Sequence, residues 1–237
     1  MNSQLVEDLR TATAQEVLRW GLETHHPRIA FASSFGAEDV VVIDMLAGIR
    51  KDARIFTLDT GRLHEETYDV IERIRVRYGV TIESYFPERE QVESLERIKG
   101  LYSFKESIQN RKECCGIRKV EPLGRALGTV DAWITGLRRD QAVTRGTTEK
   151  VETDTARPGL IKLNPLADWS HEQVWEYIRE HDVPYNALHD RGFPSIGCSP
   201  CTRAVAPGED IRAGRWWWEM PEQKECGLHP GAERERK

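Results

Sequence analysis

Short apolar runs alternate with longer amphipathic stretches through most of this chain. Four of the apolar runs predict strands, because each is brief and ends in a polar or glycine-containing turn. They are Ile29–Ala32, Arg54–Leu58, Val80–Tyr85 and Ala132–Thr135. Helical periodicity predicts helices over Gln4–Trp20, Glu38–Leu46, Glu65–Arg77, Glu88–Lys99 and Ser170–His181. The repeated alternation predicts an α/β fold with a parallel, twisted sheet and helices on both faces.

Two stretches lack this alternation. Residues 149–157 are polar and weakly patterned, which predicts an exposed loop, and beyond Val183 frequent Pro and Gly predict an irregular chain. The hydroxyl of Ser170 is expected to cap the helix that follows it. Because chain ends are mobile by default, we expect a mobile C-terminal tail after the folded body.

Composition limits the classes of protein to which the chain can belong. It has 237 residues, of which 39% are hydrophobic and 31% charged, as in a water-soluble globular enzyme. No run approaches the roughly 20 apolar residues of a membrane span, and residues 1–19 do not resemble a signal peptide. We therefore expect a cytoplasmic protein with no membrane partner. The net charge of −5 also argues against nucleic acid as a partner.

Basic residues nevertheless cluster in three places, residues 111–119, 138–145 and 203–215. Such islands on an acidic chain favour a small anionic substrate over a polymer. Each island taken alone is equally explained by a solvated helix face.

The turn after the first strand is a candidate anion site. Residues 33–39 read Ser-Ser-Phe-Gly-Ala-Glu-Asp and join a strand to a helix. Ser33, Ser34, Phe35 and Gly36 could bring backbone N–H groups and hydroxyls to an anion at the positive helix end, with Gly36 allowing an unusual backbone conformation or a close approach. The turn matches neither a Walker loop nor a dinucleotide-binding fingerprint. An ordinary serine-capped turn is the alternative.

Two later turns carry further candidates. Asp59 and Thr60 follow the second strand and could lie over a nucleotide, although a simple capped turn has the same sequence. Arg138 and Arg139 follow the fourth strand, where guanidinium groups could hold phosphate or sulfate through paired hydrogen bonds. A surface pair of arginines is the alternative.

Cysteine spacing is the strongest chemical signal. Cys114 and Cys115 are adjacent, and Cys198 and Cys201 form a Cys-x-x-Cys pair. Four thiolates can hold zinc or a 4Fe–4S cluster. Adjacent cysteines favour the cluster, in which each thiolate can bind a different iron. Zinc and a set of buried reduced cysteines are the alternatives.

The residues around these cysteines add charge and a fifth thiol. Lys119 lies four residues after Cys115, on the same face if the segment is helical, and could offset thiolate charge and touch an anionic substrate. Cys226 stands outside the four-cysteine set, with Gly227 beside it and His229 three residues later. It is a candidate reactive thiol, and a surface cysteine without a role is the alternative.

A last basic motif precedes Cys226. Arg212 and Arg215 lie three residues apart and are followed by three tryptophans at 216–218. The two cations beside a rigid aromatic cluster suit a sulfate clamp. Alternatively, the tryptophans anchor the C-terminal segment to the core.

Taken in order, these motifs resemble the assimilatory adenylylsulfate reductases, which are related to the phosphoadenylylsulfate reductases. The resemblance runs from about Ile29 to His229. It rests on Ser-Ser-Phe-Gly-Ala-Glu-Asp at 33–39, Leu-Asp-Thr-Gly-Arg at 58–62, Cys-Cys-Gly-Ile-Arg-Lys at 114–119, Gly-Cys-Ser-Pro-Cys-Thr-Arg at 197–203, Arg-Ala-Gly-Arg-Trp-Trp-Trp-Glu at 212–219 and Glu-Cys-Gly-Leu-His at 225–229.

The resemblance implies a fold like that of the adenine nucleotide alpha hydrolases and an iron–sulfur reductase that converts adenosine 5′-phosphosulfate to sulfite and AMP. It implies a reductase domain over residues 1–205 and a C-terminal segment over 206–237. It also implies a 4Fe–4S cluster on four cysteines and an S-sulfocysteine intermediate on a fifth. These are Cys114, Cys115, Cys198 and Cys201 for the cluster, and Cys226 for the intermediate.

The implied reductant is thioredoxin or glutaredoxin acting in trans. Arg138, Arg139, Arg212, Arg215 and His229 are the residues expected to hold the anionic groups of the substrate, and a homo-oligomer is possible. Three alternatives stay open. The chain could be a reductase that uses the 3′-phosphorylated substrate, either instead of the unphosphorylated one or in addition to it. It could also be an ATP-using adenylyltransferase of the same fold, or a redox or iron sensor without catalytic activity.

Overall fold

The computed structural model of the chain describes residues 3–141 and 145–220. Its helices are α1 (Ser3–Thr11), α2 (Ala14–His25), α3 (Ala37–Ile49), α4 (Glu65–Tyr78), α5 (Arg89–Lys99), α6 (Ile108–Cys115), α7 (Glu121–Leu127) and α8 (His171–Glu180). Its strands are β1 (Ile29–Ala32), β2 (Arg54–Leu58), β3 (Ile82–Tyr85), β4 (Ala132–Ile134), β5 (Val151–Thr153) and β6 (Ile161–Leu163). A π-helical segment, Gly116–Val120, joins α6 to α7.

The strands form one sheet in the order β3-β2-β1-β4-β6-β5. Every neighbouring pair is parallel except β5 with β6, which is antiparallel at the edge. The chain leaves β1 toward β2 and returns on the other side of β1 as β4. This change of direction creates a crevice at the carboxyl ends of β1 and β4, where α/β proteins bind ligands.

Alternate residues of each strand face opposite sides of the sheet and supply two apolar layers. Phe31 and Ile55 belong to the larger cluster, which contains buried residues of α2, α3, α4 and α8. Phe56 and Trp133 point the other way and pack with Leu123 of α7. The predicted sheet with helices on both faces is confirmed, with one antiparallel edge strand as the exception.

The structure confirms most of the predicted elements and corrects two. Gln4–Trp20 is not one helix but two, because the side chain of Thr13 accepts a hydrogen bond from the N–H of Glu16 and starts a new helix with a capping box. Residues 149–157 are not simply a loop, since they include β5. Pairing with β6 and an ion pair between Lys162 and Glu152 (2.9 Å) hold this polar strand at the sheet edge.

The helix at 171–180 begins as predicted, with the Ser170 hydroxyl accepting from the N–H of Gln173. Within residues 3–141 and 145–220, no helix combines the length and the apolar character needed to cross a membrane.

Candidate active site

A cleft of about 250 Å³ opens at the carboxyl ends of β1, β2 and β4. Its wall also includes the start of α3, the π-helical segment and the chain that follows α8. The polar residues and glycines on it include Ser33, Ser34, Gly36, Thr60, Lys119, Gly136, Arg138, Gln141, Arg145, His171, His189, Arg212 and Arg215. Seven of these residues carry a cationic or imidazole side chain, which makes this cleft a suitable site for an anion.

The turn after β1 has an unusual backbone, but not at the expected residue. Gly36 has a φ of −71°, and a Cβ built there would meet no atom closer than 3.8 Å. Phe35 instead adopts a φ of +58° with its side chain fully buried. A buried aromatic residue in the left-handed region is uncommon and typical of strained functional turns. The side chain of Phe35 anchors the turn and does not line the cleft.

A buried carboxylate holds this turn in place. The N–H and the hydroxyl of Ser34 both donate to Oδ2 of Asp39, at 2.5 and 2.8 Å. Burial raises the pKa of Asp39 to about 6, although the hydrogen bonds from Ser34 oppose the shift. A Cβ at Gly136 would overlap Oδ1 of Asp39, so only glycine fits there. Asp39 therefore joins the ends of β1 and β4.

The two arginines after β4 have different positions. Arg138 is buried against the cleft, and its guanidinium donates to Oε1 of Glu38 (2.9 Å). Arg139 does not line the cleft, because its Nε donates to the carbonyl of Thr148 (2.7 Å). Asp59 lies outside it too, where its carboxylate accepts from the hydroxyl of Tyr68 (3.0 Å).

The four cysteines outside the C-terminal segment meet at a second, smaller cavity. Cys114 and Cys115 end α6, while Cys198 and Cys201 flank a short turn that follows a long irregular stretch. All four are buried free thiols, and all four line the same cavity. Within the described part of the chain, no three His, Cys, Asp or Glu side chains group closely enough to hold a single metal ion.

Polar groups contact three of the four sulfurs. The Thr60 hydroxyl lies 3.3 Å from Sγ of Cys198. The guanidinium groups of Arg118 and Arg111 lie close enough to Cys114 and Cys115, respectively, to favour their thiolates. Such donors stabilise thiolates, which are the form that binds iron.

The surroundings shift the pKa values of three of these thiols in different directions. Burial opposes ionisation of Cys198, but Lys119, the Thr60 hydroxyl and Arg215 outweigh burial and lower the pKa of this thiol. Burial and the neighbouring cysteines raise the pKa of Cys201 to about 12. Burial also raises the pKa of Cys114.

This donor set fits a 4Fe–4S cluster. Four thiols surround one cavity whose wall also carries cations that offset thiolate charge, among them Arg62 and Lys119. In addition, Nε of Arg118 and Nε1 of Trp216 are buried at this cavity without a hydrogen-bond acceptor among the described residues. Buried donors of this kind normally have partners, and cluster sulfides or thiolates would supply them.

The two cavities share a wall. Lys119, Arg215 and Trp216 line both the cleft and the cysteine cavity. Lys119 belongs to the π-helical segment, a rare irregularity that is frequent at functional sites. The ring of Trp216 is buried between two guanidinium groups, with Arg111 and Arg215 each 4.8 Å from its centroid. The cationic side chains of Lys119 and Arg215 can therefore interact both with an anion in the cleft and with the cysteine thiolates.

The remaining predicted residues divide into two groups. Arg212 lines the cleft beside Arg215, whose N–H donates to the Arg212 carbonyl (2.9 Å). Cys226 and His229 lie outside the described residues, as does the expected mobile tail after residue 220. The described part of the proposed C-terminal segment, residues 206–220, is hydrogen-bonded to residues 1–205. The N–H of Trp216 donates to the carbonyl of Cys201 (3.1 Å).

Sequence reasoning missed several residues of the site. Arg111 precedes Cys115 by four positions on α6, a helical spacing that could have identified it. Thr60 was expected over a nucleotide, but its hydroxyl also faces Cys198. Glu96 has no sequence signal at all, yet its Oε1 accepts from Arg62 (2.8 Å) and from Arg118 (2.5 Å).

Comparison with known proteins gives a consistent result. Residues 28–204 match the phosphoadenosine phosphosulfate reductase domain. The chain is 53% identical over 204 residues to adenosine 5′-phosphosulfate reductase from Burkholderia cepacia, covering 86% of this chain and 81% of the relative. It is 46% identical over 232 residues to the enzyme of the same name from Pseudomonas aeruginosa (strain LESB58), covering 96% and 86%.

Solved structures agree with these sequence relatives. Phosphoadenylyl-sulfate reductase from Candida auris, in a phosphate complex, matches with a TM-score of 0.72 and 31% identity, covering 86% of this chain and 98% of that one. FMN adenylyltransferase from Candida glabrata, with FAD and pyrophosphate, has a TM-score of 0.55 at 15% identity, covering 93% and 78%. The second likeness shows a shared fold only.

Proposed function

The chain belongs to the phosphoadenosine phosphosulfate reductase family, and we propose that it reduces adenosine 5′-phosphosulfate to sulfite and AMP in assimilatory sulfate reduction. The relatives that carry this activity in their names are about half identical to the chain over most of its length. The single observation that carries the proposal is the shared wall of the two cavities. Lys119 and Arg215 face both an anion-sized cleft and four buried cysteines.

The cleft is suited to a nucleotide that carries two adjacent anionic groups. The start of α3 and the turn after β1 offer positive potential to the cleft. Lys119, Arg212 and Arg215 also line it and offer cations. We assign the phosphosulfate to these cations, because guanidinium groups bind such oxyanions through paired hydrogen bonds.

The reaction has two steps, the first at Cys226. Its thiolate attacks the sulfur of the bound phosphosulfate, the bond from sulfur to the bridging oxygen breaks, and AMP leaves with that electron pair. The product is an S-sulfocysteine. Lys119, Arg212 and Arg215 would stabilise the negative charge that develops on the departing phosphate.

The second step consumes a dithiol from a protein such as thioredoxin or glutaredoxin. One thiolate of the partner attacks Sγ of Cys226, and sulfite leaves with the electron pair of the S–S bond. The second thiol of the partner resolves the mixed disulfide and regenerates the Cys226 thiolate. The dithiol is oxidised by two electrons as the sulfonate is reduced to sulfite, as a reducing cytoplasm would permit.

We also propose that the four remaining cysteines hold a 4Fe–4S cluster: Cys114, Cys115, Cys198 and Cys201. When bound, the cluster supplies structural support and a local electrostatic field to the site, without a net redox change. Arg111, Arg118 and Thr60 orient the thiolates, and Lys119 offsets their charge on the side of the substrate.

The test is anaerobic release of sulfite with reduced thioredoxin, from adenosine 5′-phosphosulfate and separately from its 3′-phosphorylated form. We expect a strong preference for the unphosphorylated nucleotide. Equal use of the two nucleotides would support a reductase activity but contradict the assignment of adenosine 5′-phosphosulfate as the preferred substrate. No sulfite from either, together with pyrophosphate release from ATP, would favour an adenylyltransferase. Cys226→Ser should abolish AMP release, and a stable protein-bound sulfonate in that variant would overturn the assignment of the nucleophile.

A further inference from the structure

An exposed apolar patch lies beside the cysteine cavity. Among the described residues, nine large hydrophobic side chains are exposed, and five of them define this patch: Ile98, Leu101, Tyr102, Trp217 and Met220. Ile98 lies in the last turn of α5, and Leu101 and Tyr102 lie in the turn that follows this helix. Tyr102 and Trp217 meet around the ammonium of Lys105, which lies 5.4 and 5.5 Å from their ring centroids. None of the five side chains lines the cleft or the cysteine cavity.

The patch is unusual for a surface that faces only water. Ile98 is 72% exposed and Leu101 58% exposed. Tyr, Trp and Met are the residue types that are enriched where proteins meet other proteins. A contiguous apolar surface on a water-soluble chain commonly marks an interaction site.

The chain beyond the patch is poorly suited to cover it. Residues 221–237 contain eight charged side chains and only one large hydrophobic side chain, Leu228. One such side chain cannot bury five apolar ones, so residues 221–237 do not offer an apolar surface that matches the patch.

The position of Cys226 identifies the kind of molecule. Cys226 follows Met220 by six residues, and a trans peptide chain of that length spans at most about 22 Å. A protein that attacks the sulfur of Cys226 must therefore bring its thiol within that distance of the patch. Transient redox complexes bury small interfaces, below about 1,200 Å² in total, which a few large apolar side chains can dominate.

We propose that this patch is the docking surface for the dithiol protein that reduces the S-sulfocysteine. The inference rests on the proposed function, because it needs Cys226 to carry the sulfonate. It predicts that the patch serves the second step only. Binding of substrate and the first attack by Cys226 should not depend on it.

The test replaces Leu101 with Asp, which puts an unpaired carboxylate into the interface and disturbs little in the free protein, since the site is exposed. Ile98→Asp is a second variant that keeps the test valid if Leu101→Asp does not fold. The matched control is Val76→Asp, since Val76 is 67% exposed on α4 and belongs to another surface.

We expect Leu101→Asp to lower kcat/KM for reduced thioredoxin about tenfold or more, as for a central interface residue. A direct titration with reduced thioredoxin should show the same loss. Single-turnover release of AMP, and turnover driven by dithiothreitol, which needs no docking surface, should stay within about twofold of the wild type. Val76→Asp should change none of these quantities.

Two results would overturn the proposal. One is an unchanged kcat/KM for thioredoxin in both patch variants, or an equal loss with dithiothreitol. The other is a wild-type dimer that both patch variants convert to monomer, with thioredoxin binding intact, as measured by sedimentation. Absence of AMP release from the wild type would instead refute the proposed function, while the thioredoxin titration would still report on the patch.

Discussion

Arg111 and Glu219 form a buried ion pair that joins two segments 108 residues apart in sequence. Nε and Nη2 of Arg111 donate to the two carboxylate oxygens of Glu219, at 3.0 and 2.7 Å. The two side chains are 1% and 3% exposed. Arg111 also contacts Cys115, so one guanidinium links the cysteine helix to the segment that leads toward Cys226.

Glu219→Gln should destabilise the protein strongly. The substitution removes one charge and leaves the Arg111 guanidinium buried without its counter-ion, which costs about 3–5 kcal/mol in comparable pairs. Anaerobic urea denaturation measures the change in the free energy of unfolding. The matched control is Glu209→Gln, which breaks an exposed pair with Arg203 (2.9 Å) and should cost less than about 1 kcal/mol. Equal effects in the two variants would contradict the assigned role.

Asp39 should make stability fall as pH rises. Burial raises the pKa of its carboxyl from 3.8 to about 6 in the folded chain. The folded state therefore binds more protons than the unfolded state between these values. Stability from this group is fully present below the unfolded pKa and is lost as pH rises through the folded pKa, by about 3 kcal/mol.

Asp39→Asn should remove that dependence while leaving an oxygen to accept from Ser34. Urea denaturation of both proteins from about pH 4 to about pH 7 tests the prediction, because their difference isolates the carboxyl. Parallel stability curves for the two proteins would show that Asp39 ionises normally.

Gly136→Ala should damage the turn after β1. The added Cβ would overlap the Asp39 carboxylate, and relief of the overlap would shift Ser34. We expect a loss of about 1–3 kcal/mol in stability and a higher KM for the nucleotide. The control is Gly124→Ala on α7, where an added Cβ meets nothing within 4 Å. Because alanine favours helix, that variant should be neutral or more stable by up to about 1 kcal/mol. Similar behaviour of the two variants would refute the packing argument.

Arg138 and Arg139 should differ sharply in function. Arg138 is buried at the cleft beside Glu38, whereas Arg139 is bonded to Thr148 outside it. Arg138→Ala should therefore raise KM for adenosine 5′-phosphosulfate about tenfold or more, and Arg139→Ala should leave it within about twofold. Steady-state kinetics with fixed thioredoxin measures both values. A larger effect from Arg139→Ala would reverse the assignment.

Glu96→Gln should weaken retention of the proposed 4Fe–4S cluster. Glu96 holds Arg62 and Arg118 at the cysteine cavity, and partners that orient ligands or their neighbours change metal affinity about tenfold or more. Iron content per chain and bleaching of visible absorbance by a chelator provide the measurements. Glu93→Gln, on the exposed side of the same helix, is the control. Identical bleaching of the two variants would show that Glu96 has no such role.

The sequence by itself determined the parts of this protein that depend on local pattern. Ile29–Ala32 and Arg54–Leu58 are strands with the predicted bounds, and Ser170 caps its helix, because alternation and capping act over a few residues. The motif order sufficed to indicate the family. Where local signals compete, as at Thr13 and in the polar strand Val151–Thr153, the prediction was wrong.

Only the tertiary structure decided which groups meet. The hydroxyl of Thr60 contacts Cys198, which is 138 positions away, and its carbonyl accepts a hydrogen bond from Arg118, which is 58 positions away. No periodic pattern in the sequence predicts either contact. The same is true of Glu96 beside Arg118 and of Arg139 turned away from the cleft. Such contacts depend on the order of strands in the sheet and on side-chain packing, since burial selects partners by their position in space and not by their spacing in sequence.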